Sequence, residues 1–127
     1  MDILLDTHAL IWFIEGNNKL SSVAKQAIEN HKNNYFFSIA SIWEISIKES
    51  LGKISLNASL EKIIDIIHQN NIEILPITTS HLITLNKLEF HHKDPFDRLI
   101  ISQAMVNGCS IVTKDQFFPL YDVPLIW

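Results

Sequence analysis

The sequence predicts an α/β sandwich built around a mostly parallel sheet. Short apolar segments with strand character alternate along the chain with segments whose apolar residues recur at helical spacing. Right-handed crossovers between such strands place them parallel in one sheet. No internal repeat, linker or shift in composition interrupts the 127 residues, so we predict a single domain over 1–127.

The predicted strands are short runs of apolar, β-branched and aromatic residues, which is typical of strands in the middle of a sandwich. Five segments fit this description: 2–6, 35–39, 72–75, 110–113 and 123–126. Pro76 directly follows the third run and ends it.

The predicted helices combine helical spacing of apolar residues with residues that start or stop helices. Gly16 ends the first, Gly52 supplies a left-handed C-terminal cap, and Asn57 or Ser59 caps the helix that contains Ile63. The predicted segments are 7–15, a helix from Ser21–Ser22, 41–51, a helix through 60–67, 78–88, and 94–107.

Composition excludes several classes of protein. With 47% hydrophobic and 19% charged residues, the chain can bury a core and is not disordered. No apolar run approaches the ~18 residues of a membrane span, and the N-terminus carries acids instead of bases, so we expect a cytoplasmic protein without a membrane partner. Cys109 is the single cysteine, which excludes an internal disulfide. A net charge of −4 means that any nucleic-acid partner needs a local basic patch.

Four acidic residues, Asp6, Glu44, Asp97 and Asp115, lie just past a strand or near the start of a helix. Ligands gather at the carboxyl ends of parallel strands, so these side chains are predicted to converge. Crowded carboxylates repel one another and lose solvation, and a divalent metal ion relieves both costs.

Helix capping is the competing explanation for each acid. Asp6 has the position of an N-cap, and Ser41 with Glu44 has the spacing of a capping box. The same alternative applies to Asp94 with Asp97, and to Asp115 at the head of a turn.

Helical angles separate the acids. At ~100° per residue, Asp97 falls on the apolar side of its helix with Ile100, and Arg98 falls on the opposite side. Asp97 is therefore predicted to be partly buried and to need a partner. Glu44 lies only at the edge of its apolar face, where an exposed pair with Lys48 is the alternative.

Carboxylates without a cysteine cage or a paired histidine motif are hard oxygen ligands, which suit Mg²⁺, with Mn²⁺ as the alternative. Such sites usually act on phosphates. Thr7 and Thr113 flank the acids and either orient them or serve as satisfied hydroxyls at strand ends. The candidate phosphate contacts are Lys48, Lys93, Arg98 and Lys114, each of which is otherwise an ordinary surface charge. His91 and His92 are interpreted as solvated loop residues next to Lys93, with contact to a substrate as the alternative.

Four motifs carry a family resemblance: LLDTHALIW at 4–12, SIWEI at 41–45, DPFDRLI at 94–100 and IVTKD at 111–115. Together they resemble the PIN-domain family and, within it, the VapC toxins of bacterial type II toxin–antitoxin modules. The resemblance implies a three-layer fold with five parallel strands and helices on both faces. It also implies a Mg²⁺-dependent endoribonuclease, a homodimer and inhibition by an antitoxin whose tail occupies the active-site groove.

Carried over position by position, the family's acidic quartet matches Asp6, Glu44, Asp97 and Asp115. The resemblance places Asp94 beside the site, where we expect it to cap a helix instead of binding metal. Two alternatives from other classes remain: a phosphotransfer receiver domain, which also clusters acids around Mg²⁺, and a non-catalytic interaction module whose acids serve only as caps. The receiver would need an acceptor Asp at the end of the third strand, where this chain has Leu75-Pro76.

Overall fold

The strands and helices follow one another much as the sequence predicts. The computed structural model describes residues 1–53 and 58–127. The strands are β1 (Asp2–Leu5), β2 (Asn34–Ser38), β3 (Ile72–Leu75), β4 (Ser110–Val112) and β5 (Leu125–Ile126). The helices are α1 (Thr7–Glu15), α2 (Ser22–Glu29), α3 (Ile39–Ser50), α4 (Leu60–Gln69), α5 (Thr79–Lys87) and α6 (Pro95–Asn107), and a 3-10 turn covers Phe118–Leu120.

All five strands are parallel and lie in the order β3-β2-β1-β4-β5. The prediction of a mostly parallel five-stranded sheet is therefore confirmed. The order reverses between β1 and β4, and in open α/β sheets this switch point is where a ligand crevice forms. A receiver domain has the order 2-1-3-4-5, so the topology contradicts that alternative.

Two apolar cores cover the two faces of the sheet. Ile3 and Leu5 of β1 pack in one core with α1, α2, α3 and α4, whereas Leu4 packs in the other with α6 and the 3-10 turn. This alternation follows from the two-residue period of a strand. The predicted three-layer sandwich with helices on both faces is confirmed.

The helix starts show which caps were predicted correctly. Asp6 and Asp94, whose capping was considered from the sequence, cap α1 and α6 through their side-chain oxygens. Thr78, predicted only as the first residue of a helix, caps α5. Ser59 caps α4, while Asn57 lies outside the described residues. The predicted Ser41–Glu44 capping box is wrong, because α3 begins two residues earlier and Ser38 accepts the hydrogen bond from Ala40 N.

Helix α6 is buried on nearly every side, which corrects the expectation that Arg98 faces solvent. Arg98 is only 6% exposed. Its guanidinium donates hydrogen bonds to the carbonyl oxygens of Leu88 (3.2 Å) and Glu89 (2.8 Å). The guanidinium is therefore engaged by the loop at Leu88 and Glu89, and a phosphate contact at Arg98 stays a prediction.

None of the helices formed by residues 1–53 and 58–127 has the length and apolar character that crossing a membrane requires.

Candidate active site

The site forms at the switch point of the sheet, where β1 and β4 end side by side. Leu5 pairs with Val112, so the next residues along both strands, Asp6 and Thr113, emerge at the same edge. The helices that follow β1 and β2 begin at this edge as well, and their N-termini contribute positive potential there. The topology alone therefore places acidic side chains in the positive potential of helix N-termini, which favours their charged form.

Asp6 is both a helix cap and a buried carboxylate. Its Oδ1 accepts a hydrogen bond from Ala9 N (2.7 Å), and its Oδ2 accepts one from the Thr113 hydroxyl (2.5 Å). Burial raises the pKa of Asp6 above its ordinary value, and the hydrogen bond from Thr113 partly opposes that rise. Capping and site membership coexist in this residue.

Glu44 is more deeply buried than its position at the edge of an apolar face indicated, with 4% exposure. Its Oε1 accepts a hydrogen bond from the Thr7 hydroxyl (2.8 Å), and Lys48 Nζ lies 2.9 Å from its Oε2. The hydrogen bond that Lys48 donates to Glu44 raises the pKa of Lys48. The predicted ion pair between Glu44 and Lys48 therefore exists, but its acid is buried instead of lying on the surface.

Asp97 and Asp115 meet at a histidine. The Nε2 atom of His92 lies 3.1 Å from Asp97 Oδ2 and 3.1 Å from Asp115 Oδ2. Within 1–53 and 58–127, these three side chains form the one group of at least three potential metal ligands whose atoms all lie within 4.8 Å of one another. The convergence predicted from sequence is thus tightest at this pair.

The hydrogen bonds of His92 define its protonation. Its Nδ1 accepts a hydrogen bond from the backbone N–H of Asp94 (3.1 Å), so the ring proton resides on Nε2. Nε2 then donates to Asp115 Oδ2. In this tautomer His92 donates its one N–H to Asp115 while Nε2 also lies 3.1 Å from Asp97 Oδ2, and His92 is buried instead of being a solvated loop residue.

A tyrosine and an arginine hold the loop that carries His92. The Tyr121 hydroxyl accepts hydrogen bonds from the backbone N–H groups of His91 and His92 and donates one to Glu89 O. Arg98 binds carbonyl oxygens of the same loop. Sequence reasoning missed His92 because these anchors come from distant segments, and its only local signal was its position just ahead of the DPFD motif.

The carboxyl group of Asp97 has a strongly raised pKa. Burial, followed by the charges of Asp94, Glu44, Asp115 and Asp6, raises the pKa of Asp97 to about 8. The prediction that Asp97 is partly buried and needs a partner is confirmed. Asp94 acts as the predicted cap, since its Oδ1 accepts from the N–H groups of Phe96 and Asp97.

The acids open onto a cleft of about 560 Å³. Its lining includes Asp6, Asp97, Asp115 and, opposite in charge, Lys19 and Lys114. Of the predicted phosphate contacts, Lys114 lines this cleft, Lys48 pairs with Glu44 and Lys93 is exposed. Asp115 also caps the turn that follows it, by accepting from Phe117 N, as predicted.

The comparisons with known proteins agree with this geometry. The sequence model of the PIN domain matches residues 3–123. The chain is 29% identical over 118 residues to Ribonuclease VapC22 of Mycobacterium tuberculosis (strain ATCC 25618 / H37Rv), an alignment that covers 90% of this chain and 87% of that protein.

Solved structures share the fold at low sequence identity. The crystal structure of VapBC2 from Rickettsia felis, bound to a DNA fragment from its promoter, has a TM-score of 0.73 at 19% identity and covers 98% of this chain and 97% of that one. FitAcB from Neisseria gonorrhoeae has a TM-score of 0.65 at 16% identity, covering 97% and 95%. At these identities the likeness concerns the fold.

Proposed function

This chain belongs to the PIN-domain family, and from that premise we propose that it is a Mg²⁺-dependent endoribonuclease of the VapC toxin type. The observation that carries the proposal is the crowding of acidic side chains at the switch point, where burial and neighbouring charges raise the pKa of Asp97 to about 8. Such a cluster is costly to ionise unless a cation shares it. The similarity to a protein named as a ribonuclease supports the same reaction.

The donor set fits a hard divalent ion. Carboxylate oxygens are the ligands that Mg²⁺ prefers, and Mn²⁺ accepts the same set. Cys109, the soft ligand that would favour other metals, is buried in the core beneath α6. We assign metal binding, directly or through water, to the quartet predicted from sequence: Asp6, Glu44, Asp97 and Asp115.

When bound, the metal lowers the pKa of a water molecule and polarises the phosphate. The protein supplies the positions. Thr7 and Thr113 orient the Glu44 and Asp6 carboxylates through hydrogen bonds. His92 fixes the relative positions of Asp97 and Asp115. Because the chain as a whole is acidic, binding of the RNA backbone depends on local positive charge. Lys114 supplies such a charge in the cleft, and Lys48 and Lys93 lie near the acids in sequence.

We also propose that the chain is a homodimer neutralised by a cognate antitoxin protein. The support for the antitoxin is that one chain in each of the VapBC2 and FitAcB structures shares this fold over nearly its whole length. The homodimer is what the resemblance to the VapC toxins implies. An antitoxin that occupies the cleft would compete with RNA for the same acids and lysines. Co-expression with the product of a small neighbouring reading frame should therefore restore growth to cells that the chain alone arrests.

The decisive experiment compares charge-removing substitutions that keep side-chain shape. Asp6→Asn and Asp97→Asn should each abolish Mg²⁺-dependent cleavage of a pool of short single-stranded RNAs and abolish toxicity. Asp65→Asn, on the exposed face of α4, is the matched control and should cleave like the wild type. Circular dichroism melting checks that all three variants fold. Full cleavage by either site variant would refute the assignment.

A second measurement tests the alternative that the chain is a non-catalytic interaction module. If the acids serve only as caps, Mg²⁺ should not stabilise the wild type beyond an equal ionic strength of Na⁺. If they hold a metal, Mg²⁺ raises the melting temperature by mass action, and more so in the wild type than in Asp97→Asn.

A further inference from the structure

The cleft has a second wall that the acidic chemistry does not use. Helix α1 presents His8 and Trp12, one turn apart, with ring centroids 5.7 Å apart. Lys19 Nζ lies over the Trp12 ring, 5.9 Å from its centroid, and the centroid of Trp127 lies 5.9 Å from that of Trp12 in an edge-on arrangement. His8, Trp12 and Lys19 line the same cleft as Asp6, Asp97 and Asp115. We call these three residues the aromatic wall.

Packing accounts for only part of Trp12. Trp12 packs against the core and Trp127, but it remains partly exposed and borders the cleft. A histidine and a lysine placed beside an indole give a surface that attracts planar π-systems and anions together. A nucleotide combines the two, because its base is planar and its phosphates are anionic.

We propose that the aromatic wall is a nucleobase subsite, in which the base of a nucleotide flanking the scissile phosphate stacks against Trp12. Lys19 and Lys114, both in the cleft, then face the phosphates on either side. This inference rests on the proposed ribonuclease function and deepens it by naming how the substrate is held. The substrate class it predicts is single-stranded RNA, because a base must leave its helix before an indole can stack on it.

The subsite should govern binding more than chemistry. Stacking on an aromatic side chain tolerates any base, so removing the contact should raise KM and leave kcat almost unchanged. Loss of a metal-binding acid should instead lower kcat. This split separates a base-binding role for Trp12 from any indirect effect on the acidic residues.

The first test removes single bases from the RNA, and substitutions of Trp12 follow in a second step. The cut position is mapped on a defined single-stranded RNA oligonucleotide with the wild-type protein. Each nucleotide flanking the cut is then replaced, one at a time, by an abasic nucleotide. At one flanking position we expect KM to rise roughly tenfold to a hundredfold, with kcat within about twofold.

A double-mutant cycle ties that position to Trp12. The penalty of the abasic nucleotide should largely disappear in Trp12→Leu and should largely persist in Trp12→Phe, which keeps an aromatic face. Trp43→Leu is the matched control, because Trp43 is an exposed tryptophan of α3 outside the cleft lining, and it should show the full penalty. Lys19→Ala should raise KM for RNA without removing the abasic penalty.

The possible outcomes distinguish a failure of the nucleobase subsite from a failure of the proposed ribonuclease function. Wild-type protein that cleaves no RNA overturns the proposed function, and the subsite with it. Efficient cleavage without a penalty at any abasic position overturns the subsite alone, even if Trp12→Leu proves too unstable to use. A penalty that persists in folded Trp12→Leu also overturns it. So does a Trp12→Leu variant that loses antitoxin binding while its RNA kinetics stay those of the wild type.

Discussion

Thr113, the first residue after β4, donates a hydrogen bond to the Asp6 carboxylate, the first residue after β1, across 107 positions of sequence. The same hydroxyl oxygen accepts a hydrogen bond from the backbone N–H of Asp115. One threonine therefore connects two acids of the site at the point where the strand order reverses. The register of β1 against β4 makes this possible, because it brings the two strand ends level.

Replacing Thr113 by valine should weaken metal binding without disturbing the shape of the strand end. Asp6 Oδ2 and Asp115 N–H would each lose a partner, and the pKa of Asp6 would rise further because the threonine hydrogen bond lowers it. We expect roughly a 10- to 100-fold loss of Mg²⁺ affinity and of cleavage. Calorimetric titration with Mg²⁺ measures the affinity. Thr79→Val, at an exposed position of α5, is the control, and equal affinities for both variants would contradict the role of Thr113.

The raised pKa of Asp97 predicts a pH dependence of stability for the metal-free protein. The carboxyl titrates at 3.8 when unfolded and at about 8 when folded, so the folded state binds the proton more tightly. The stability from this group is complete below the lower pKa and is lost as the pH rises toward the higher one. In EDTA, the melting temperature should therefore fall by several degrees between about pH 5 and pH 8.

Asp97→Asn should reduce that slope and should melt above the wild type at the alkaline end. Asp6, whose pKa is also raised by burial, contributes to the slope that persists in this variant. Saturating Mg²⁺ should flatten the wild-type slope, because the ion favours the charged carboxylates. Asp65→Asn should follow the wild type at every pH. An unchanged slope in Asp97→Asn would mean that other groups control the titration.

The parts of the fold that sequence predicted well depend on local signals. Gly16 and the Asp94-Pro95 pair fix helix ends through backbone conformation and capping, which act within one turn. The clustering of the acids was also predictable, because parallel strands must end at the same edge. Arg98 and His92 were misplaced for the opposite reason. Their surroundings come from segments far away in sequence, including Tyr121, and helical spacing cannot reveal them.

His92→Phe should impair the site, although it keeps the ring contacts with Phe117 and Phe118. The phenyl ring donates no hydrogen bond, so Asp115 would lose the donor that holds it beside Asp97. We expect roughly a 10- to 100-fold loss of cleavage. His92→Gln, which can place a donor near the position of Nε2, should lose less. His91→Phe, at the preceding residue, is the matched control, because His91 pairs with the exposed Glu89 outside the acidic cluster. Identical kinetics for His92→Phe and His91→Phe would remove His92 from the site.

Lys48→Met tests whether Glu44 shares the metal. The substitution leaves the buried Glu44 carboxylate with the Thr7 hydroxyl and without its cation. We expect a loss of about 1 to 2 kcal/mol in the unfolding free energy of the metal-free protein, because an uncompensated buried charge costs more than an exposed pair contributes. Removing both charges in Glu44→Gln/Lys48→Met should recover most of that loss.

Added Mg²⁺ then decides the role of Glu44. If Glu44 helps to hold the ion, the ion replaces the missing ammonium group, and the gap in unfolding free energy between Lys48→Met and the wild type narrows. In the background of Glu44→Gln, the addition of Mg²⁺ should leave the effect of Lys48→Met unaltered. Lys62→Met, at an exposed position of α4, controls for a general change in net charge. A penalty for Lys48→Met that is the same with and without Mg²⁺ would confine Glu44 to its ion pair and leave Asp6, Asp97 and Asp115 as the metal site.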